Sequence, residues 1–469
     1  MSPTGEAPAE PPRPRRPAAF AHSRQALRTR RRDLFLRSRL LWHRAYRIVS
    51  YLKSALWVVP IVAILAVLML APAMRALDAR LVWRFVGLEV PGARALYETV
   101  VTLTLSFLVF TFGSLLVAIQ VAGGQLTPRI IATTLLRDNV VRYSVGLFVF
   151  TLVFAVMSLD RLGAQVYQLA TFLTGLLGVV CMAVFLFLID YAARLLRPVS
   201  VAARVGNEGQ KVIAAVYPHE EGSGSDATQA PGLALGPPRR TLRHAGPSEI
   251  ALAVDLDALL VEAIRCDGIV ELVPQVGDFV ARDEVLYALH GGAAAADDRR
   301  LAAAVAFGGE RTMEQDPLFA FRILVDIAIK ALSPAINDPT TAVESIAQIQ
   351  RLLRTVGERH LHGEVVADRE GRPRVILRTP NWEDFVRVAC HEIRFYGAGN
   401  LQVARRLRAM LEDLLASLPK HRHAALREER DLLDRMIDAV YVLPEDRALA
   451  RVPDSQGLGG SVRGKWRQA

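Results

Sequence analysis

Thr99 to Val121 reads TVVTLTLSFLVFTFGSLLVAIQV, an uncharged run that begins directly after Glu98. Ser54 to Ala73, Tyr143 to Leu159 and Gln168 to Ile189 are similarly free of charge, and no comparable run follows Ile189. Each covers about 17–23 residues, the length that a helix rising about 1.5 Å per residue needs to cross about 30 Å of hydrocarbon. The sequence therefore predicts a mainly α integral membrane protein. Its expected architecture is a four-helix transmembrane bundle followed by a C-terminal cytoplasmic α+β domain with a small β module.

The whole-chain averages, 52% hydrophobic and net charge +10 over 469 residues, mix two unlike halves. Arginines from Arg13 to Arg47, with Lys53, crowd the N-terminal tail, where only Glu6, Glu10 and Asp33 oppose them. Basic clusters can track nucleic-acid phosphate. This one runs straight into an apolar span, where cytoplasmic Arg and Lys set orientation and attract anionic lipid. Anionic lipid at the tail is therefore the expected partner, and nucleic acid is not. Four spans return the chain to its starting side, so both termini are expected in the cytoplasm. The basic loop Arg129, Arg137 and Arg142 and the basic exit Arg194, Arg197 and Arg204 agree with this, as does the near-neutral outer turn Asp160–Arg161. The first outer loop fits less well, carrying Arg75, Arg80, Arg84 and Arg94, and Trp83 and Phe85 suggest that part of it lies along the interface. The first apolar run starts late, has span length and has three successors, unlike a cleaved signal.

The resulting division is a basic, partly disordered tail at 1–53, a transmembrane unit at 54–191 and a connector at 192–247. A β-rich module at 248–292, a mostly helical region at 293–452 and a flexible tail at 453–469 follow. Spans are expected at about 54–73, 99–121, 143–159 and 168–189. Pro60 is expected to kink the first span. Gly- and Pro-dense residues 220–247 read as a loop, and Ser248 can open a short helix from Glu249 to Ile264. Short strands occupy 267–290, and Glu364–Asp368 with Arg374–Thr379 form a hairpin.

The most informative later segment is QDPLFAFRILVDIAIKALSPAINDPTTAVESI, Gln315 to Ile346. Asp316–Pro317 and Asp338–Pro339 each pair an N-cap with a proline at the first helical position. The helix between them is apolar nearly all round, apart from a stripe of Arg322, Asp326 and Lys330 at steps of four. That stripe is either an intrahelical ion-pair ladder or a ligand- or assembly-facing line of charge. Asn337 and Asp338 stand at a helix N-terminus, where Asp338 caps the amides or helps to hold a ligand. In the second span Thr104, Thr111 and Ser114 stack at helical spacing, with Gln120 and Gln125 beyond. They either mediate close helix packing or line a polar path. Asp190 is expected to pair with Arg194 at the inner end of the fourth span.

SPAINDPTTA, the preceding GGERTMEQDPLFAFRILVDIAIKAL, the loop GGQLTPRI and the later HEIRFYG together resemble the bacterial predicted membrane protein family, domain of unknown function 2254. The resemblance covers roughly residues 30–440. It implies four transmembrane helices, a cytoplasmic domain and a place in the bacterial inner membrane. It brings no catalytic residue.

Other motifs fall short. The strand pattern around Gly277–Asp278 is similar to lipoyl and biotinyl carriers, but no lysine lies between Lys211 and Lys330 to carry the group. His391-Glu392-Ile-Arg-Phe395 begins like a zinc-protease motif, yet Phe395 replaces the second histidine, so a polar helix face is expected. His360, His362, His421 and His423 read as solvated positions. Cys181, Cys266 and Cys390 suggest neither a disulfide framework nor a metal site, consistent with a reducing cytoplasm. No nucleotide-binding or hydrolase motif occurs, so neither cofactor nor enzyme chemistry is expected. The expected function is a homo-oligomeric, channel-like or solute-permeating protein with Thr104, Thr111, Ser114, Gln120 and Gln125 along its path. The alternatives are a membrane-anchored sensor or scaffold and, third, a membrane-bound enzyme.

Overall fold

The structure, a computed structural model, describes residues 55, 57–78, 87–125, 138–163, 166–195, 197–220, 235–361 and 365–456. The basic N-terminal tail, Trp83, Phe85, most of the GGQLTPRI loop, the 221–234 linker, His362 and the final tail lie outside the described residues.

Among the described residues, four helices long and apolar enough to cross a membrane come first: α1 (Val58–Asp78), α2 (Val90–Gln125), α3 (Asn139–Asp160) and α4 (Gln168–Leu195). Each contains most or all of one apolar run; α2 extends past both ends of its run and α4 past the far end only. Polar flanks need not stop a helix, and α2 starts as early as Val90, with Arg94 and Glu98 forming an exposed i,i+4 pair in its first turns. Pro60 falls in the first turn of α1, where an N–H would have no helical partner anyway. The proline inside that helix is Pro72. α3 packs against the other three helices. Phe107 of α2 stacks on Phe185 of α4 at 4.2 Å and tilts against Phe148 of α3 at 5.7 Å. Most outward positions are apolar, as in Met69, Val109 and Val179, each at least two-thirds exposed.

α5 (Pro198–Val216) leads from α4 into an α+β region. Its β part has two sheets built from β1 (Arg240–Arg243), β2 (Glu249–Val254), β3 (Gly268–Leu272), β4 (Phe279–Val280), β5 (Val285–Gly291), β6 (Val305–Gly308), β7 (Val365–Ala367) and β8 (Pro373–Leu377). The larger sheet has the order β1-β5-β3-β8-β7, with β3 and β8 parallel; the smaller is β4-β2-β6. Helices α6 (Leu256–Arg265) and α7 (Asp298–Ala303) complete this module. Here the structure departs from the expected helix at Glu249 to Ile264. Its first six residues form β2, and the helix opens only after Asp255, which accepts from Ala258 N at 3.0 Å. EIALAV has good helix formers, but pairing with β4 and β6 overrides that preference.

The helical body comprises α5 with α8 (Pro317–Ala331), α9 (Pro339–Gly357), α10 (Trp382–Gly397), α11 (Leu401–Ser417), α12 (His423–Val440) and α13 (Pro444–Ala450). α8 is buried almost all round, as its composition requires. Gly209 lets α5 approach closely, since an added Cβ there would lie 2.8 Å from Ala320 Cβ and 3.1 Å from a Leu352 methyl.

Candidate functional site

The apolar helices and the α+β region meet at Asp138. As N-cap of α3, its Oδ1 accepts from Val140 N at 2.9 Å and Val141 N at 3.2 Å. Its Oδ2 accepts from Tyr191 Oη of α4 at 2.6 Å and from Arg204 Nη1 of α5 at 2.7 Å. One carboxylate, only 4% exposed, therefore joins three helices. Low local dielectric strengthens such a contact and makes a missing partner costly. In the sequence Arg204 stands only as one of the basic residues after the fourth span, and Asp138 bears no mark of this partnership. The available signal was an Asp–Asn pair immediately before an apolar run.

The charged stripe of α8 divides. Arg322 Nε donates to Asp326 Oδ1 at 2.8 Å, and the same guanidinium grips both carboxylate oxygens of Glu392 on α10, one of them at 2.8 Å. Arg322 holds Glu392 below the usual carboxylate range. Lys330 forms no ion pair with a described residue and lies half-buried. On α10, Arg394 reaches the buried Glu429 of α12 at 3.1 Å, and His391 Nδ1 sits 3.3 Å from Arg394. The HEIR segment thus forms a polar face that ties α10 to two neighbours. Among the described residues no group of three metal-binding side chains assembles.

In the α8–α9 turn both Asp338 oxygens are engaged. Oδ1 accepts from Thr341 N at 3.1 Å and Oδ2 from Thr341 Oγ1 at 2.5 Å. Asn337 takes φ +49, a conformation asparagine tolerates better than most residues, and its side chain is exposed. The turn brings Asn337 and Asp338 together at the far end of α8 from Arg322.

Along α2, the hydroxyls of Thr104 and Thr111 are buried and donate to their own helix, to Val100 O at 2.7 Å and Phe107 O at 2.6 Å. Ser114 bonds Thr111 O at 3.0 Å and is half-buried; Gln120 is exposed. Gln125 ends the helix, and its side chain lies outside the described part. A different face points outward from the bundle. Ala95, Thr99, Thr102, Ser106, Gly113 and Gln120 are all exposed, and their spacing keeps them on one side of the helix. Thr99, Thr102 and Ser106 donate to carbonyls four residues back, which leaves their oxygens able to accept.

A cavity of about 540 Å³ lies in the β module. Leu242, Leu286, Val305 and Phe307 give it an apolar floor, while Glu249 and Arg299 stand among its lining residues. His244, also lining it, tilts against Phe307 with ring centroids 4.3 Å apart, and its Nε2 lies 2.8 Å from Pro247 O.

Four apolar helices, two of them joined through a buried carboxylate to an α+β body, have the length and composition of a helical membrane protein. The chain belongs to the family described as Predicted membrane protein (DUF2254), whose profile matches residues 53–413. Uncharacterized proteins of Mycobacterium tuberculosis (strain H37Rv) and Mycobacterium bovis (strain AF2122/97) are each 25% identical over 428 residues, covering 87% of this chain and 81% of the relative. No solved structure matches the chain.

Proposed function

We propose that the protein is a homo-oligomeric, channel-like or solute-permeating protein of the bacterial inner membrane, with both termini cytoplasmic. The α+β region assembles or gates it, with Arg322, Asp326 and Lys330 on the assembly side. The observation that carries this reading is the outward face of α2. A helix surrounded by lipid needs only apolar side chains there, yet Thr99, Thr102, Ser106, Gly113 and Gln120 occupy it. α2 packs mainly on α3 and α4, so this face is available to neighbouring subunits or to a shared axis. The path is therefore assigned to Thr99, Thr102, Ser106 and Gln120, while Thr104 and Thr111 serve packing. No residue has a catalytic role in this reading. Flux from liposomes holding purified wild-type protein tests it. Ser106→Trp should abolish flux, whereas Val179→Trp on the outer face of α4 should leave it intact. Silent wild-type vesicles, or flux indifferent to Ser106→Trp, defeat the proposal.

The cavity favours a second reading, a membrane-anchored sensor, because ligand pockets commonly fall in the range of about 300–1,000 Å³. In that case the wild type is inert in flux, and small amphipathic carboxylates raise its melting temperature but not that of Ala302→Trp.

A further inference from the structure

At one end of the helical body, large apolar side chains stand in solvent. Phe395 and Tyr396 close α10 at 65% and 59% exposed, and Val442 and Leu443 follow α12 at 83% and 57%. Monomeric proteins rarely leave such groups clustered in water without a partner.

Packing brings the two pairs to the same end of the helical body. α10 and α12 run the same way, with Trp382 Nε1 bonded to Arg422 O at 2.8 Å near their starts and Arg394 bonded to Glu429 further along. Beyond the end of α10, a Cβ on Gly399 would lie 3.3 Å from Val440 Cγ1. Gly397 in turn packs on Leu332, where α8 ends.

The same end adjoins the apolar helices. α5 and α9 lie side by side in the same direction, since Gly206 faces Gln348, Gly209 faces Leu352, and Gln210 bonds Thr355 at 3.2 Å. The start of α9, and the turn that joins it to α8, therefore lie beside the start of α5. That helix opens at Pro198, directly after α4 closes at Leu195. The patch thus occupies the end of the body from which the spanning helices depart.

We propose that Phe395, Tyr396, Val442 and Leu443 form a lipid-contact surface that enters the headgroup–acyl boundary of the bilayer crossed by α1 to α4. This rests on the membrane reading of those helices. Aromatic side chains settle at that depth, and a surface can dip into it without spanning. Glu445 and Asp446 open α13 beside the patch, so anionic headgroups would not draw it in. The contact is apolar, and therefore indifferent to salt on a zwitterionic surface. Its consequence is a body held against the bilayer at a second point, away from the α4–α5 connection.

The full-length wild-type chain in phosphatidylcholine vesicles containing a phospholipid with a photoreactive group near the glycerol tests this directly. After illumination, peptides are mapped by mass spectrometry. Lipid adducts should appear on the peptides carrying 395–396 and 442–443 as well as on the spans, equally at low and high salt. In Phe395→Ser/Val442→Ser the patch adducts should fall at least about fivefold while span adducts remain. Labelled spans with an unlabelled patch overturn this proposal alone. Patch peptides joined instead to the same peptides of a second copy also overturn it, in favour of a self-interface. Unlabelled spans remove the membrane reading and this inference with it.

Discussion

Arg204 of α5 reaches back to Asp138 at the start of α3, a separation of 66 residues closed to 2.7 Å. Tyr191 donates to the same oxygen, so the last turns of α4 share the contact. A displacement of α5 is thereby felt at the ends of two apolar helices. That is what a gate or a sensor would require of the connection.

Replacing Asp138 by alanine removes a helix cap and strands two donors. The expected loss is about 2–3 kcal/mol, combining a cap worth about 1 kcal/mol with unsatisfied partners. Arg204→Met should cost less, because it leaves the cap and the tyrosine bond in place. The double variant should fall short of the sum. Thermal unfolding in detergent reads all three, and strictly additive losses would separate the two residues.

Glu392 gives a pH signature. Folding depresses its pKa through Arg322, so its contribution is present above the unfolded value of about 4.3 and fades as pH falls through the folded value. Glu392 is 39% exposed, which keeps the expected advantage over Glu392→Gln at neutral pH to about 0.5–1 kcal/mol. Paired urea titrations should show the advantage vanishing once the pH falls below the ordinary glutamate range. A gap that persists unchanged in acid argues against the pair.

Two buried arginines should behave oppositely. Arg394 faces Glu429 at 3.1 Å, both nearly inaccessible, so Arg394→Met strands a buried carboxylate at a cost of about 3 kcal/mol. Arg406 donates to Gln350 Oε1 at 2.5 Å, but its Nε finds no acceptor and no carboxylate among the described residues lies within ion-pair range. Burial lowers its pKa. Arg406→Met should be neutral within about 1 kcal/mol or stabilising. Equal losses in the two melting curves would contradict this distinction.

Gly209→Val should push α5 off α8 and α9, because even the first added carbon crowds Ala320 and Leu352. The expected cost is about 1–3 kcal/mol. If α5 transmits motion, flux or its regulation should change together with the melting temperature. A variant as stable as wild type would mean that the helices absorb the extra methyl groups.

The parts legible in the sequence were those decided locally. The four apolar runs carry their own length criterion. Asp316–Pro317 and Asp338–Pro339 announce their helices because a cap needs only its next three amides. EIALAV has helical propensity yet forms β2, because partners near 279 and 306 select the strand and local propensity does not contain them. The hairpin at 365–377 was visible, but its insertion beside β3 was not, since parallel pairing across that distance leaves no local mark. On α2, hydroxyls occupy both the packed and the outward faces, so periodicity alone did not show which face carries Thr104 and which Ser106. Asp138 was missed because its main partner lies two helices away.

Of the 57 cationic side chains, all except Lys53, Lys211, Lys330, Lys420 and Lys465 are arginines. The cross-helix grips at Asp138, Glu392 and Glu429 are all made by guanidinium groups. Guanidinium does not surrender its proton under physiological conditions. These joints therefore keep their positive partner through alkaline swings of the surrounding solution. A stimulus that loosens them must pull them apart or compete for the anion, because titrating the base is not open to it.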